Sequence, residues 1–178
     1  MNIIIDSVVK EHNNVTIDID GYVPLDIKLV DSKGKAPLYW RVGDGSKSLL
    51  ELAVLPENGF LSAVTLVMMD ANSIHKVKDS QVELSCEESG VPIVNLDLWG
   101  DSANNEFSQR FIDNFKCDMQ VYVSEDTILI KIIENDNINW IHCGGGFYLG
   151  LNEGKSITSL FINSLTQVDV ANFTESVC

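Results

Sequence analysis

The side chains that could carry out catalysis or bind a metal are few and scattered in this sequence. His142 and Cys143 are the one adjacent pair of soft ligands, and Glu134 is among the nearest acids. A nucleophile or a zinc site needs further partners at fixed spacing, such as His-x-x-x-His or paired cysteines. His12 and His75 lie far away in sequence. We therefore expect no metal, no cofactor and no catalytic set.

Two further patterns resemble parts of known binding motifs and are incomplete. The run Gly144–Gly146 lacks the Lys and Ser/Thr of a phosphate loop and precedes a strand pattern, so it predicts a turn. Asp18 and Asp20 supply only a fragment of a calcium-binding loop. The remaining carboxylate pairs are expected to be solvated, and the chain is not expected to be an enzyme.

The charge is strongly acidic and unevenly distributed. The 178 residues include 26 acids and 12 bases, which gives a net charge of −14, and 45% are hydrophobic. No Lys or Arg occurs between Asp79 and Gln109. Such a field repels nucleic acid and anionic membranes and attracts basic proteins. The alternative is that the acidic surface only keeps the protein soluble.

The compartment follows from what the sequence lacks. No apolar run approaches the ~20 residues of a membrane helix. The N-terminus has no signal-peptide pattern. The four cysteines are widely spaced and form no Cys-x-x-Cys pair, which favours buried thiols in a reducing compartment. A cytoplasmic protein is expected.

Short alternating apolar segments separated by Gly, Asn and Asp turns predict a chain made mostly of strands. The predicted strands are 2–9, 14–20, 25–31, 38–43, 48–55, 60–69, 91–98, 119–124, 127–133, 138–143, 147–151 and 156–163. Residues 80–85 are a further candidate. The final segment from Ser164 fits either a short helix or a strand with a tail.

One segment has a helical pattern instead. Phe107, Phe111 and Phe115 recur every four residues, which places them on one face of an α-helix. The sequence therefore predicts an amphipathic helix near 104–116. Its aromatic face is expected to dock on a sheet, with a partner-binding ridge as the alternative.

The chain also contains an internal duplication. The segments that begin at Ile27 and Ile130 each start with Ile-Lys, two aliphatic residues and an acid, and each then has a Trp after a polar turn and a Gly shortly after it. Their final strands match in apolar spacing, with Leu61, Val64 and Leu66 against Ile157, Leu160 and Ile162. In this alignment Trp40 corresponds to Trp140 and Gly43 to Gly144. Both tryptophans are expected in the core.

The predicted fold class is mainly β, α+β at the margin, with two related antiparallel β-meander units. The first unit is expected over 1–78, an acidic connector over 79–90 and the second unit, with the helix, over 91–178. The two units would form separate lobes, one continuous sheet or one compact domain. The acidic connector lies at their junction, where a binding surface is common.

The candidate partner-binding residues come from the acidic middle and second half of the chain. Trp99 follows a strand, and Asp97 and Asp101 flank it, as expected for an interface anchor surrounded by carboxylates. The alternative is a half-buried Trp that covers its own core. The complete candidate set is Glu87, Glu88, Asp97, Trp99, Asp101, Glu106, Glu134 and Asp136.

In its acidity, its compact β scaffold and its Asn-Gly hairpin strands, the chain resembles the immunity proteins of contact-dependent growth inhibition and related polymorphic toxin systems. The resemblance implies a cytosolic bacterial protein that binds and neutralises one cognate basic toxin domain, such as a nuclease. It carries no residue over by position. The alternative is a small-ligand-binding or enzymatic β protein with a pocket between the halves, near His142, Cys143 and Glu134. A structural or assembly subunit is a third possibility.

Overall fold

The computed structural model describes residues 2–11, 14–80, 82–104 and 107–177, apart from the side chains of residues 87, 101–104, 107 and 108. The mainly β class is confirmed, because the described chain is dominated by strands and has one α-helix. All twelve predicted strands are present, as expected when one face of an alternating segment is buried. The described part of the chain contains no helix that is long and apolar enough to span a membrane.

Six strands come from the first half of the chain: β1 (Ile5–Val9), β2 (Thr16–Asp18), β3 (Leu25–Lys28), β4 (Leu38–Gly43), β5 (Leu49–Val54) and β6 (Leu61–Met68). Two short strands follow between the halves: β7 (Ile74–Lys76) and β8 (Cys86–Ser89). The second half contributes β9 (Val91–Val94), β10 (Phe111–Asn114), β11 (Gln120–Val123), β12 (Ile128–Lys131), β13 (Asn139–Gly144), β14 (Phe147–Leu151), β15 (Ile157–Ile162) and the helix α1 (Gln167–Val177). Short 3-10 helices occur at Ala71–Ser73, Leu96–Asn104 and Phe107–Arg110.

The same strand order occurs twice. In the first sheet the neighbours are β2-β3-β6-β5-β4, and in the second they are β11-β12-β15-β14-β13. We call β1–β6 the first repeat, and β9 with β11–β15 the second repeat. Strands β4–β6 and β13–β15 are the meanders that the duplication predicts. In each sheet, however, the strand before the meander pairs with its last strand, so the full unit is not a simple meander.

Extra strands extend both sheets in parallel. Strand β10 pairs with β4 in the first sheet, and β8 pairs with β13 in the second, so the same edge is covered in both repeats. Strand β7 pairs with β11 at the opposite edge of the second sheet. The sheets are therefore mixed and not purely antiparallel.

The N-terminal strands of the two repeats meet each other. Strands β1 and β9 pair antiparallel as a two-stranded sheet. Each then bonds to a hairpin of the opposite repeat: the N–H of Ile5 donates to the carbonyl of Lys155 at 3.0 Å, and that of Val94 to the carbonyl of Gly59 at 2.7 Å. The two repeats thus form separate sheets that exchange their first strands.

One continuous apolar core joins the two repeats. It contains the inner faces of both sheets, part of β1 and β9, and Phe173 of α1. The matched positions of the duplication are confirmed in β6 and β15, where all six apolar side chains are fully buried in this core: Leu61, Val64, Leu66, Ile157, Leu160 and Ile162.

The predicted alignment of the two tryptophans is wrong. Trp40 lies in the main core, whereas Trp140 lies in a second, smaller cluster with Leu129 and Phe161. Trp40 is three residues before Gly43, and Trp140 is four residues before Gly144. Because side chains alternate between the faces of a strand, this difference of one residue places Trp140 on the opposite face. Both tryptophans are nevertheless buried, as expected.

The predicted helix near 104–116 is also wrong. The described residues there form a 3-10 turn and strand β10, and the α-helix lies at the C-terminus instead. The edge of β4 offers unpaired backbone groups, and β10 pairs with it in parallel over four residues. Phe111 then stacks on Tyr39 of β4 at 5.1 Å. Arg41 and Asp113 join the same two strands with a bidentate ion pair, Nε to Oδ1 at 2.7 Å and Nη2 to Oδ2 at 2.8 Å. Tertiary pairing has therefore overridden the local helical pattern.

Candidate protein-binding site

Two adjoining grooves lie beside the second sheet. The larger, of about 1120 Å³, lies between residues 77–85 and the outer face of the second sheet. The smaller, of about 560 Å³, lies between β1 and the β13–β14 region. Ser85, Asn139 and Trp140 line both grooves, so the two adjoin at these residues. We call the pair the acidic groove.

The lining of the acidic groove is rich in carboxylates. Six acids and three lysines line it, and all six acids are exposed. The acids are Asp6, Asp79, Glu83, Glu88, Asp136 and Glu153, and the lysines are Lys78, Lys131 and Lys155. Carboxylates that line a concave surface focus a negative potential and favour the approach of cations. The groove is therefore suited to a basic partner.

The floor of the larger groove is apolar. Trp140 is only 5% exposed, and its ring centroid lies 6.0 Å from that of Phe161. Leu129 completes the cluster, and Val82 of the connector packs against it from above. The groove thus combines charged side chains with an apolar cluster, and protein-binding patches commonly combine the two.

Two of the predicted partner-binding residues line the acidic groove. Glu88 lies on β8 in the smaller groove, and Asp136 lies before β13 in the larger one. Glu134 is exposed and pairs with the groove lysine Lys131 at 3.2 Å, but it lines neither groove. The structure therefore places Glu88 and Asp136 in two adjoining grooves, with Glu134 beside the larger one.

The interpretation of Trp99 as an exposed anchor is wrong. Its side chain is 3% exposed and belongs to the main core, and its indole N–H donates to the carbonyl of Arg110 at 3.1 Å. Asp97 is exposed but lines neither groove. The side chains of Glu87 and Asp101, and all of Glu106, lie outside the described residues.

Four acids of the groove were missed as site residues. Asp79 and Glu83 lie in the predicted acidic connector, so the lysine-free segment was the signal that could have identified them. Asp6 and Glu153 come from distant parts of the chain. Asp6 reaches this site because the first strand of one repeat bonds to the hairpin of the other.

The alternative catalytic pocket is not assembled. Cys143 faces the main core, and its thiol donates to the carbonyl of Ile141 at 3.7 Å. Burial raises the pKa of this thiol to about 12, so it stays protonated and unreactive at neutral pH. His142 lies on the opposite face and stacks on Tyr148 at 4.7 Å. A nucleophile and its base must share one site, and these two do not.

The same question applies to side chains that could bind a metal ion. Within residues 2–11, 14–80, 82–104 and 107–177, no group of three or more His, Cys, Asp or Glu side chains is arranged to hold a metal ion. The acids of the groove are spread along its lining. The arrangement can bind an extended cationic surface.

No family model matches the sequence. A curated protein, however, does match it: immunity protein CdiI-1 of Escherichia coli O157:H7 (strain EC869). The two are 38% identical over 85 residues, which are 47% of this chain and 99% of that protein. The chain belongs to the immunity proteins of contact-dependent growth inhibition. An immunity protein neutralises a toxin, so the partner of this chain is a toxin and its role is inhibitory.

The lengths of the two immunity proteins bear on the duplication. The aligned segment is almost the whole of the relative but only about half of this chain. The structure likewise shows two repeats with one strand order. This immunity protein is therefore about twice as long as its relative, and the extra length corresponds to about one repeat.

Proposed function

We propose that this immunity protein acts in the cytoplasm and neutralises a basic toxin domain, a nuclease, by binding it through the acidic groove. The observation that carries the proposal is that six exposed carboxylates, against three lysines, line two adjoining grooves, the larger of which also contains the apolar side chains of Trp140 and Leu129. Glu88 and Asp136 are the central candidates, and Asp97 and Glu134 are secondary ones because they are exposed but outside the grooves.

The nuclease assignment rests on charge. A nuclease must hold phosphates, so its active-site surface is basic. An inhibitor that presents carboxylates there competes with the nucleic acid and associates rapidly through electrostatic steering. The net charge of −14 has the sign that this mechanism requires.

The cytoplasmic assignment rests on the thiols. Cys86, Cys117 and Cys143 are free, and Cys86 is exposed. An exposed free thiol is compatible with a reducing compartment and is unusual in an oxidising one. A toxin that cleaves nucleic acid acts in the same compartment, so the inhibitor would meet it there.

Co-expression tests the proposal. The toxin domain to use is the C-terminal domain of the large secreted protein that we expect to be encoded immediately upstream. Cells that produce this domain should stop growing and lose intact nucleic acid, and co-production of the immunity protein should restore both. A matched control is a domain with its catalytic residue replaced, which should not affect growth. Toxicity without degraded nucleic acid would contradict the nuclease assignment, and toxicity despite the immunity protein would contradict the pairing.

A further inference from the structure

A row of aromatic residues crosses the outer face of the second sheet. The strand registers align six residues across six neighbouring strands, from β7 at one edge to β13. In sheet order they are His75, Tyr122, Leu129, Phe161, Tyr148 and His142. Five of the six carry a ring, and we call this row the aromatic ladder.

Neighbouring rings of the ladder contact one another on either side of Leu129. The centroids of His75 and Tyr122 are 5.0 Å apart, and those of His142 and Tyr148 are 4.7 Å apart, both stacked. Tyr148 and Phe161 follow at 6.0 Å. Phe161 is 3% exposed in the middle of the ladder, whereas Tyr122, Tyr148 and the histidines are half-buried or exposed. The ladder is thus a strip of side chains with accessible rings toward both ends.

The fold does not require aromatic residues on this face. The corresponding row on the outer face of the first sheet crosses the five matching strands and then β10, and it is polar. Its members are Asp18, Asp26, Thr65, Glu51, Arg41 and Asp113. Two repeats with one topology therefore carry opposite chemistry at matching positions, so the topology itself does not require rings there.

The ladder already has a cation on one of its rings. The ammonium of Lys131 lies 5.4 Å from the ring centroid of Tyr122, within the range of a cation–π contact. Tyr122 and Leu129 also line the larger part of the acidic groove, together with Asp79, Glu83 and Asp136. Ring faces beside carboxylates suit the guanidinium group, which stacks on aromatic rings and pairs with carboxylates.

We infer that the aromatic ladder is the docking strip for arginine side chains of the toxin domain. The inference rests on the proposed function and names the surface that confers specificity. The acidic groove attracts the basic partner, and the ladder receives its planar cations. Charge complementarity favours the basic toxin domain as the partner that docks on this strip. The lining of the adjoining groove is acidic, and this opposes the docking of a second copy of this acidic chain.

The test compares tyrosines of the two outer faces. Tyr122→Thr with Tyr148→Thr removes two rings of the ladder, and Tyr39→Thr removes a half-buried outer-face ring of the first sheet that is stacked on Phe111. Binding of the catalytically inactive toxin domain is measured by titration calorimetry, and folding by circular dichroism. We expect the ladder variant to raise Kd at least about tenfold. Tyr39→Thr should change Kd less than about twofold.

Two further variants separate the ring from its bulk. Tyr148→Phe keeps the ring and should bind as the wild type does, whereas Tyr148→Leu keeps apolar volume without a ring and should bind more weakly. The Leu variant also serves as the test if the double variant does not fold. Unchanged Kd in the ladder variants, with tight binding by the wild type, would overturn the inference and leave the proposed function standing. No binding by the wild type would overturn both.

Discussion

The side-chain amide of Asn95 donates a hydrogen bond to the carboxylate of Asp6 at 3.1 Å, and the two residues occupy matching positions in the two repeats. Asp6 follows Ile5, and Asn95 follows Val94; these preceding residues each bond to a hairpin of the opposite repeat. The contact thus lies where β1 and β9, the first strands of the two repeats, pair with each other. The first strand of each repeat bonds to a hairpin of the other, so we expect the two repeats to fold as one unit.

The exchange of strands predicts a single unfolding transition. Because one core and two exchanged strands join the repeats, neither should unfold alone. Urea titrations followed by circular dichroism and by tryptophan fluorescence should coincide. Asn95→Ala should lower the free energy of unfolding by about 0.5–1.5 kcal/mol without splitting the transition. Two separated transitions would show that the repeats are independent.

Gly90 is predicted to be essential for the junction between β8 and β9. Its φ is +143°, and a Cβ added there would lie 2.1 Å from the carbonyl oxygen of Val9 in β1. Gly90→Ala should therefore cost more than about 3 kcal/mol of unfolding free energy. Gly21→Ala is the control, because Gly21 also has a positive φ but has open space around it. That control should cost about 1 kcal/mol, and equal losses in the two variants would argue against the clash.

Asp44 is predicted to make stability depend on pH in the acid range. Backbone N–H groups of Ser46, Lys47 and Ser48 donate to its Oδ1 at 2.8–2.9 Å and lower its pKa from 3.8 to about 2. A lowered pKa in the folded state stabilises the protein above pH 4, and this contribution is lost as the pH falls toward 2. Asp44→Asn should therefore make Tm less dependent on pH between 4 and 2. An unchanged profile in thermal unfolding would contradict this role.

The buried thiol of Cys143 is predicted to resist alkylation. Its pKa is raised to about 12 by burial, whereas Cys86 is exposed. With iodoacetamide at pH 8, peptide mass spectrometry should find Cys86 modified well before Cys143 in the native protein. The unfolded protein in urea is the control, in which the two should react at similar rates. Rapid native modification of Cys143 would reopen a catalytic interpretation.

Twelve strands of the described chain could be predicted from the sequence, since period-two alternation needs only local residues, whereas the short strands β7, β8 and β10 were not predicted. The helix near 104–116 could not be excluded, because Phe111 and its neighbours join β4 through a pairing between distant segments. The face of Trp140 depended on one residue of spacing, which an alignment by residue type does not resolve. These errors arise where tertiary pairing decides the local structure.

The candidate site was predicted only in part. Glu88 and Asp136 were identified from the acidic composition, and both line the acidic groove. Asp6 lies on β1, and Glu153 lies in the hairpin between β14 and β15. The exchange of first strands brings these two residues to the same groove, and this exchange leaves no local signal in the sequence. Trp99 was predicted to bind the partner because acids flank it in the sequence, but its indole faces the core.

Charge reversal in the acidic groove tests whether the toxin domain binds there. The dissociation constant of the complex with the inactive toxin domain is measured for two triple variants that change the net charge equally. The groove variant is Glu83→Lys, Glu88→Lys and Asp136→Lys, and the control reverses three exposed acids outside both grooves, Asp18→Lys, Glu125→Lys and Glu175→Lys. The groove variant should raise Kd about a hundredfold and the control less than about threefold. Equal effects of the two variants, or tight binding by the groove variant, would show that the acidic groove is not the toxin-binding surface.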